Sequence, residues 1–450
     1  MRLNQTALRP RAWVRLAVAG ALAASAVSLA ACGSSSSSGG STSPASAGST
    51  SGASATHASV ANTSSSAGAK PTGSPLDLWA LAPLSSQVGN VPGAPAGVRT
   101  AARYINAHGG LGLAHHAIVV RTCDTQGTPQ GEVQCAQQAV ADKKAVAAVN
   151  PIEIYNPNAL TATLQKGGLA AVNPYISTTQ QLTNPINFPI VAAYLSGTAC
   201  STLTAKATGD KRIGYAQINL PTSEQGDAYA AGVARKAGLT VAGTVTIPVT
   251  TTDLSTYIQQ LLDDNPQIVV LNMQPGLVAQ FVQAAAQLGA NWTYCAQDGI
   301  TEWQQLVGLG SKVDSFYFAA TVPQVTQPGS AIVNRFRSQA QAEDASGDKA
   351  ASLDPSQEPG NAFTAWLAMQ VVDQVTQHMP GTITRAGFLH KLAHSTVHLP
   401  GALPTIDFAK PNPLPQFRRL FNTRLFLDKW NPSTKTEDPV SSVKPEVFGR

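Results

Sequence analysis

The sequence predicts an α/β protein of two lobes, each a doubly wound parallel sheet with helices on both faces. Short apolar strands alternate with helix-patterned segments from residue 76 to about 320, which is the pattern of parallel sheets covered on both faces. The alternation runs as two successive series, which suggests two similar lobes. Hydrophobic residues make up 43% of the 450, so two large cores can be buried, although charged residues are only 12%. That charge deficit is concentrated in a Ser/Gly/Ala tract near the start.

The elements follow in chain order. Arg9, Arg11 and Arg15 precede an apolar stretch over 16–29 and then small residues, the layout of a secretory signal. The stretch ends Leu29-Ala30-Ala31-Cys32-Gly33, which resembles the bacterial lipobox, whose cysteine is lipidated and becomes the new N-terminus. An ordinary signal peptide with an incidental Cys32 is the alternative. Residues 33–75 are nearly all Ser, Gly, Ala and Thr, with Lys70 as the sole charge, and cannot bury enough surface to offset their ordering entropy. Such a tether reaches roughly 35 Å by random-coil scaling. The body therefore starts near residue 76.

Residues 76–82 read as a buried strand. Residues 92–106 read as a helix, with Val98, Ala101, Ala102 and Ile105 on one face and Gly109-Gly110 ending it. Strands at 117–121, 145–149 and 169–172 alternate with helices at 132–141 and 159–166. The second series places strands at 211–218, 239–247, 267–273, 292–296 and 316–320, and helices at 223–237, 253–264 and 277–288. Beyond 324 the chain turns helix-rich, with segments at 332–342, 362–378 and 385–394, and 419–429 reads as a late strand pair or one long strand.

The run Ile105-Asn106-Ala107-His108-Gly109-Gly110-Leu111-Gly112 precedes a strand, then Cys123-Asp124 and a helix, then Lys144 to Pro151. This order resembles the leucine/isoleucine/valine-binding family of type I periplasmic binding proteins, over about 76–325 and loosely thereafter. The resemblance implies two lobes joined by three crossover hinge strands, closing on a solute carried to an ABC importer. It implies an N-terminal lobe of 76–190 with 322–395, a C-terminal lobe of 191–321, and a segment 396–450 crossing back to the C-terminal lobe.

In that family a Ser/Thr-rich loop after the third strand holds the ligand carboxylate, and here the loop is Ile152-Glu153-Ile154-Tyr155-Asn156. The next contact loop matches Pro174-Tyr175-Ile176-Ser177, where Ser177 fits and Tyr175 is bulkier than usual. In the second lobe Ser223-Glu224 stand where a Tyr is common, Gln274 replaces a later aromatic, and Asp298 matches the acid that pairs with a ligand ammonium. Hence the implied ligand set is Tyr155, Asn156, Tyr175, Ser177, Ser223, Glu224, Gln274 and Asp298. Plainer readings stand beside some of these: interlobe packing for Tyr155 and Tyr175, a solvated loop for Glu224 and its first-lobe counterpart Glu153, a turn acid for Asp298.

Cys123, Cys135, Cys200 and Cys295 allow three disulfide connectivities in an exported body. Short separation favours Cys123–Cys135 and leaves Cys200–Cys295; buried free thiols are the alternative. Neither a Cys-x-x-Cys, a Gly-x-Ser-x-Gly, a His-Glu-x-x-His nor a Walker A loop occurs, so no metal, cofactor or enzymatic site is expected. His115-His116 reads as a polar loop end. The formal charge is +5, of which Arg2, Arg9, Arg11 and Arg15 in the signal supply four, so the mature body is near neutral and a nucleic-acid partner is not expected. The expected function is an extracytoplasmic lipid-anchored receptor, monomeric, that captures an amino acid or similar small polar molecule for ABC permease subunits. The alternatives are a sensory lipoprotein, or a receptor for a small amide or organic acid.

Overall fold

In the computed structural model the first strand–helix series builds one parallel sheet. Its elements are β1 (Gly73–Ala82), α1 (Gly93–Ala107), β2 (His116–Asp124), α2 (Pro129–Ala141), β3 (Ala145–Val149), α3 (Ala159–Lys166), β4 (Ala170–Val172) and β5 (Asn187–Phe188). The strand order is β2-β1-β3-β4-β5, parallel at every pairing. The structure describes residues 70–86, 89–155, 158–191, 193–273, 275–298, 303–326, 328–347, 360–443 and 446–447, all within the unit Ser64–Arg450. The expected export signal, Cys32 and nearly all of the linker lie outside the described residues.

The second series supplies α4 (Ala193–Thr208), β6 (Arg212–Ile218), α5 (Pro221–Lys236), β7 (Thr240–Ile247), α6 (Ser255–Asp264), β8 (Ile268–Asn272), α7 (Pro275–Gln287), β9 (Thr293–Gln297), α8 (Trp303–Leu309) and β10 (Phe316–Ala320). The chain continues through α9 (Ala331–Ala345), α10 (Gly360–Thr376), α11 (Arg385–Ala393), β11 (Thr396–Val397), β12 (Ile406–Asp407), β13 (Arg424–Asn431), β14 (Thr436–Pro439) and β15 (Glu446–Val447). The second sheet runs β14-β13-β10-β9-β8-β6-β7, with β15 also on β13. Its parallel core is extended by antiparallel β13 and β14, so the segment 419–429 carries one strand, which starts at Arg424, and its hairpin partner lies beyond that segment.

Helices α9 to α11 and the β11–β12 hairpin return to the first lobe. Phe336, Phe363, Trp366, Phe388 and Phe408 share one buried cluster with Leu78, Val146 and Val172 of that sheet. The chain therefore crosses between lobes after β5, after β10 and between β12 and β13.

The Asn-x-x-Gly-Gly turn has a physical reason. Asn106 Nδ2 donates to the Ile118 carbonyl at 2.9 Å and Asn106 Oδ1 accepts from the Ile118 N–H at 2.8 Å, so one side chain serves as the missing strand neighbour of β2. Gly110 sits at φ +80°, and a Cβ there would meet the His116 carbonyl oxygen at 2.4 Å, so only glycine fits. His116 is not a polar loop end: it is buried, its Nδ1 2.7 Å from the Ser74 carbonyl and its Nε2 2.9 Å from that of Gly381.

Helix α4 is absent from the sequence-based expectation. Its residues AYLSGTACSTLTAKAT are mostly small or hydroxylated, and Ser201, Thr202 and Thr204 are buried along with Cys200 and Leu203. A helix buried on most of its surface has no polar face, so no 3.6-residue period shows.

Both expected disulfides are present. Cys123–Cys135 ties β2 to α2 across 12 residues, and Cys200–Cys295 ties α4 to the central strand β9 across 95. In the chain-entropy treatment these loops are worth about 3 and about 5 kcal/mol.

Candidate functional site

Ligands in open α/β sheets bind beyond the carboxyl ends of the strands, and here those ends face each other across a cleft. Asn150 follows β3 and Asn173 follows β4, both with left-handed backbones at φ 51° and 53° and both followed by proline. Asparagine tolerates that conformation because its short amide bonds locally. Asn173 Nδ2 donates to Asn150 Oδ1 at 2.7 Å, and Asn173 Oδ1 accepts from the N–H groups of Ile190 and Val191 at 3.2 and 3.3 Å. The pair thus ties two strand ends to the first crossover. Tyr175 follows on a bridge with Ile152 and hydrogen-bonds across the cleft to the side chain of Gln297; burial raises its phenol pKa.

The opposite wall comes from β9 and β10. Gln297 and Asp298 stand at the end of β9, Thr321 and Val322 at the end of β10, and the N-terminus of α10 closes the side with Asn361 and Thr364. The cavity among these residues is about 50 Å³. Small-molecule pockets usually span some 300–1,000 Å³, so the cleft in this conformation is narrower than a pocket that encloses a solute of amino-acid size.

Behind Asp298 lies a buried acid pair. Asp428 of β13 is 3% exposed, and burial, followed by the nearby Asp298 and Asp438 charges, pushes its carboxyl up to about 7. Gln324, in the second crossover, donates to Asp428 Oδ2 at 3.3 Å and to Glu437 Oε2 at 2.7 Å, and Trp303 Nε1 donates to Glu437 Oε1 at 2.6 Å.

The first-lobe loops bind themselves. The N–H groups of Ile154 and Tyr155 donate to Glu132 Oε1 at 2.7 and 3.0 Å. Glu153, expected in a solvated loop, is 1% exposed and caps α3: it accepts from Leu160 N at 2.7 Å, Thr161 Oγ1 at 2.6 Å and Gln181 Nε2 at 2.9 Å, with Thr161 N at 3.3 Å. Burial pushes its carboxyl up to about 6, against these donors, which favour the ionised form. Gln181 Oε1 in turn accepts from Ser177 N and Thr178 N at 2.8 and 3.0 Å.

Of the sequence-derived set, Tyr175 and Asp298 line this cleft together. The Ser177 hydroxyl is engaged with the Glu153 carbonyl and Gln181, both at 3.2 Å. Tyr155 lies beside Ser86, its hydroxyl 3.4 Å from Ser86 Oγ. Ser223 is buried in the first turn of α5; Glu224 belongs to the same helix, with its side chain outside the described residues. Asn156 and Gln274 also lie outside the described residues. The sequence reading missed Asn150, Asn173 and Gln297. A signal for the first two exists, because Ala-Ala-Val-Asn-Pro occurs twice, at 147–151 and 170–174. Among the described residues no cluster of His, Cys, Asp and Glu could hold a metal ion, and no helix is long and apolar enough to cross a membrane.

Residues 80–416 match a family described as periplasmic binding protein. Among solved structures, a substrate-binding periplasmic protein from Ralstonia solanacearum superposes with TM-score 0.68 at 18% identity, covering 80% of this chain and 98% of that one. A branched chain amino acid ABC transporter protein from Thermus thermophilus with bound valine gives 0.67 at 14%, covering 84% and 97%. A fatty acid ABC transporter substrate-binding protein from Thermomonospora curvata gives 0.66 at 12%, covering 85% and 95%. At such identities the likeness is one of fold. No curated protein matches the chain significantly.

Proposed function

The chain belongs to the periplasmic binding protein family, of the leucine/isoleucine/valine-binding type, and from that premise we propose that it is the lipid-anchored solute receptor of an ABC importer. The signal-like sequence that ends at Cys32, with the Ser/Gly/Ala-rich stretch after it, supports export and anchoring. The matched family is one of binding proteins, and a capture-and-release role without catalysis is the reading adopted for this chain. The ligand is an amino acid or a similar small polar solute bearing an ammonium group. One observation carries that choice: Asp298 stands in the cleft wall at the end of β9, opposite Tyr175. A carboxylate there offers a charge-assisted hydrogen bond to an ammonium.

The test is a thermal-shift and calorimetry screen of amino acids, amines, amides and small acids. A ligand present at 1,000 Kd adds about 4 kcal/mol to folded-state stability, which for a body this large raises Tm by several degrees. Stoichiometry of one is expected. Asp298→Asn should weaken an ammonium-bearing ligand by about 1.5–3 kcal/mol. A screen in which no solute of any class binds refutes the receptor reading; an unchanged affinity in Asp298→Asn refutes the ammonium contact alone.

A further inference from the structure

One side chain in the cleft wall is fixed from behind and open in front. Asn173, after β4, uses its whole amide. Its Oδ1 accepts from the N–H groups of Ile190 and Val191, and its Nδ2 donates to Asn150 Oδ1 at 2.7 Å and to the Thr364 carbonyl of α10 at 3.4 Å. Two backbone donors on the oxygen and two acceptors on the nitrogen leave that amide one orientation. Because Asn173 presents Nδ2, the atom of Asn150 that meets it must be the oxygen. The Asn150 NH2 is thereby turned away from Asn173.

The Asn150 backbone is held as well. Its N–H donates to the Val172 carbonyl at 2.8 Å, its φ is 51°, and Pro151 follows. The residue is 7% exposed and borders the cleft, and among the described residues its Nδ2 has no hydrogen-bond partner. Neighbouring polar groups of the wall are committed: Tyr175 to Gln297, Thr364 Oγ1 to the Asn361 carbonyl at 3.2 Å, and Asn361 and Asp298 to further partners. The Thr321 hydroxyl, at the end of β10, likewise has no partner among the described residues. An NH2 only donates and a hydroxyl can donate, so both uncommitted groups are met by an acceptor. A nearly buried donor left unmet is costly, which favours a solute that brings one.

We propose that Asn150 is a specificity-determining residue of the cleft: its Nδ2 donates to an acceptor oxygen of the solute, a carbonyl or a carboxylate, while Asn173 holds the amide in the orientation that offers the donor. This rests on the receptor reading and does not depend on whether the solute carries an ammonium group.

The experiment is titration calorimetry on the full-length protein with matched series: valine, valinamide and isobutylamine; proline, prolinamide and pyrrolidine; ornithine, ornithinamide and putrescine; butyrate and butyramide. In a series that binds, the acid or the amide should be at least about tenfold tighter than the oxygen-free amine, the effect of one otherwise unmet donor. Whichever of the two is tighter identifies the oxygen that Asn150 meets. An amine as tight as its acid and its amide overturns the proposal and leaves the receptor reading intact, as does binding by oxygen-free solutes alone. Binding by no solute at all removes both. Asn150→Asp keeps an oxygen for Asn173, tolerates the left-handed backbone and replaces the donor by an anionic acceptor. An amide can turn its own NH2 to that acceptor and a carboxylate cannot, so the amide-to-acid affinity ratio should rise at least about tenfold. A purely structural role lowers both affinities alike, and an unchanged ratio overturns the proposal. Asn150→Gly also suits the left-handed backbone and removes the whole amide. With folding verified by circular dichroism, it should weaken the acid and the amide at least about tenfold more than the amine. An equal loss across the three overturns the contact.

Discussion

Replacing Glu153 by alanine tests whether an internal carboxylate, rather than a ligand, holds the loop after β3. The substitution removes the acceptor for Leu160 N at 2.7 Å, Thr161 N at 3.3 Å, Thr161 Oγ1 at 2.6 Å and Gln181 Nε2 at 2.9 Å. The Thr161 hydroxyl can rotate and the Gln181 amide can turn, so the cost falls mainly on the two backbone amides. A buried donor left unsatisfied costs about 1–3 kcal/mol, which puts the total for the two near 2–6 kcal/mol. For a body of this size that lowers Tm by roughly 5–10 °C. Glu153→Gln keeps one oxygen acceptor and should cost less, and it also changes the pH response. The unfolded carboxyl loses its proton near the ordinary 4.5 and the folded one at about 6. Between those values the unfolded state holds fewer protons, so the wild type loses about 2 kcal/mol as pH rises through the window, whereas Glu153→Gln lacks this contribution. The assays are urea denaturation from pH 4 to 8 and hydrogen exchange at the Leu160 and Thr161 amides. Wild-type stability together with unchanged protection of those two amides in Glu153→Ala would refute the capping role.

Two further perturbations probe other parts of the molecule. Cys32→Ser should move the protein out of the detergent phase or block its processing; equal partitioning of both forms would remove the lipid anchor. Asp428→Asn should be more stable than the wild type at pH 8 by a few kcal/mol and nearly equal to it at pH 4.5, because the wild-type carboxyl at about 7 opposes folding once the unfolded one ionises near 3.8; a difference that does not grow with pH would refute that cost.

The lobes were legible because their strands are short apolar runs separated by helices of clear period. Residues 145–149 are AVAAV, buried at every position, and 268–272 are IVVLN, flanked by Pro266 and Met273. Helix α4 was not legible, because its hydroxyl side chains turn inward and erase the polar face. Of the site residues implied by the resemblance, Tyr175 and Asp298 line the cleft, since both follow strands whose ends define it. Glu153 was read as solvated because a charged residue in a loop is usually exposed. Its burial depends on Gln181 and on the start of α3 coming to it, and a pairing between positions 28 apart has no local pattern. The same holds for Gln297, which matters only because Tyr175 of the other lobe reaches it.

Polar contacts hold the crossovers to the lobes. On the first-lobe side, Asn173 holds Ile190 and Val191, Asn422 Nδ2 donates to the Ile190 carbonyl at 3.0 Å, and Arg419 donates from its backbone to Leu182 at 2.7 Å and from Nε to Asn187 at 2.7 Å. The Arg419 guanidinium also lies 4.2 Å from the Phe188 ring centre and 4.8 Å from that of Phe421, while burial lowers its pKa to about 10. On the second-lobe side, Gln324 holds the second crossover to Asp428 and Glu437. Two crossovers are therefore held by hydrogen bonds on the first-lobe side and one on the second-lobe side. The Tyr175–Gln297 hydrogen bond joins the two cleft walls. One such bond is worth about 0.5–1.5 kcal/mol net, too little to hold two lobes shut against their freedom to separate. On the proposed function, an ammonium that reached Asp298 in the second lobe while its body packed on Tyr175 and Ile152 in the first would add contacts made only with the lobes together, and closure would then report occupancy.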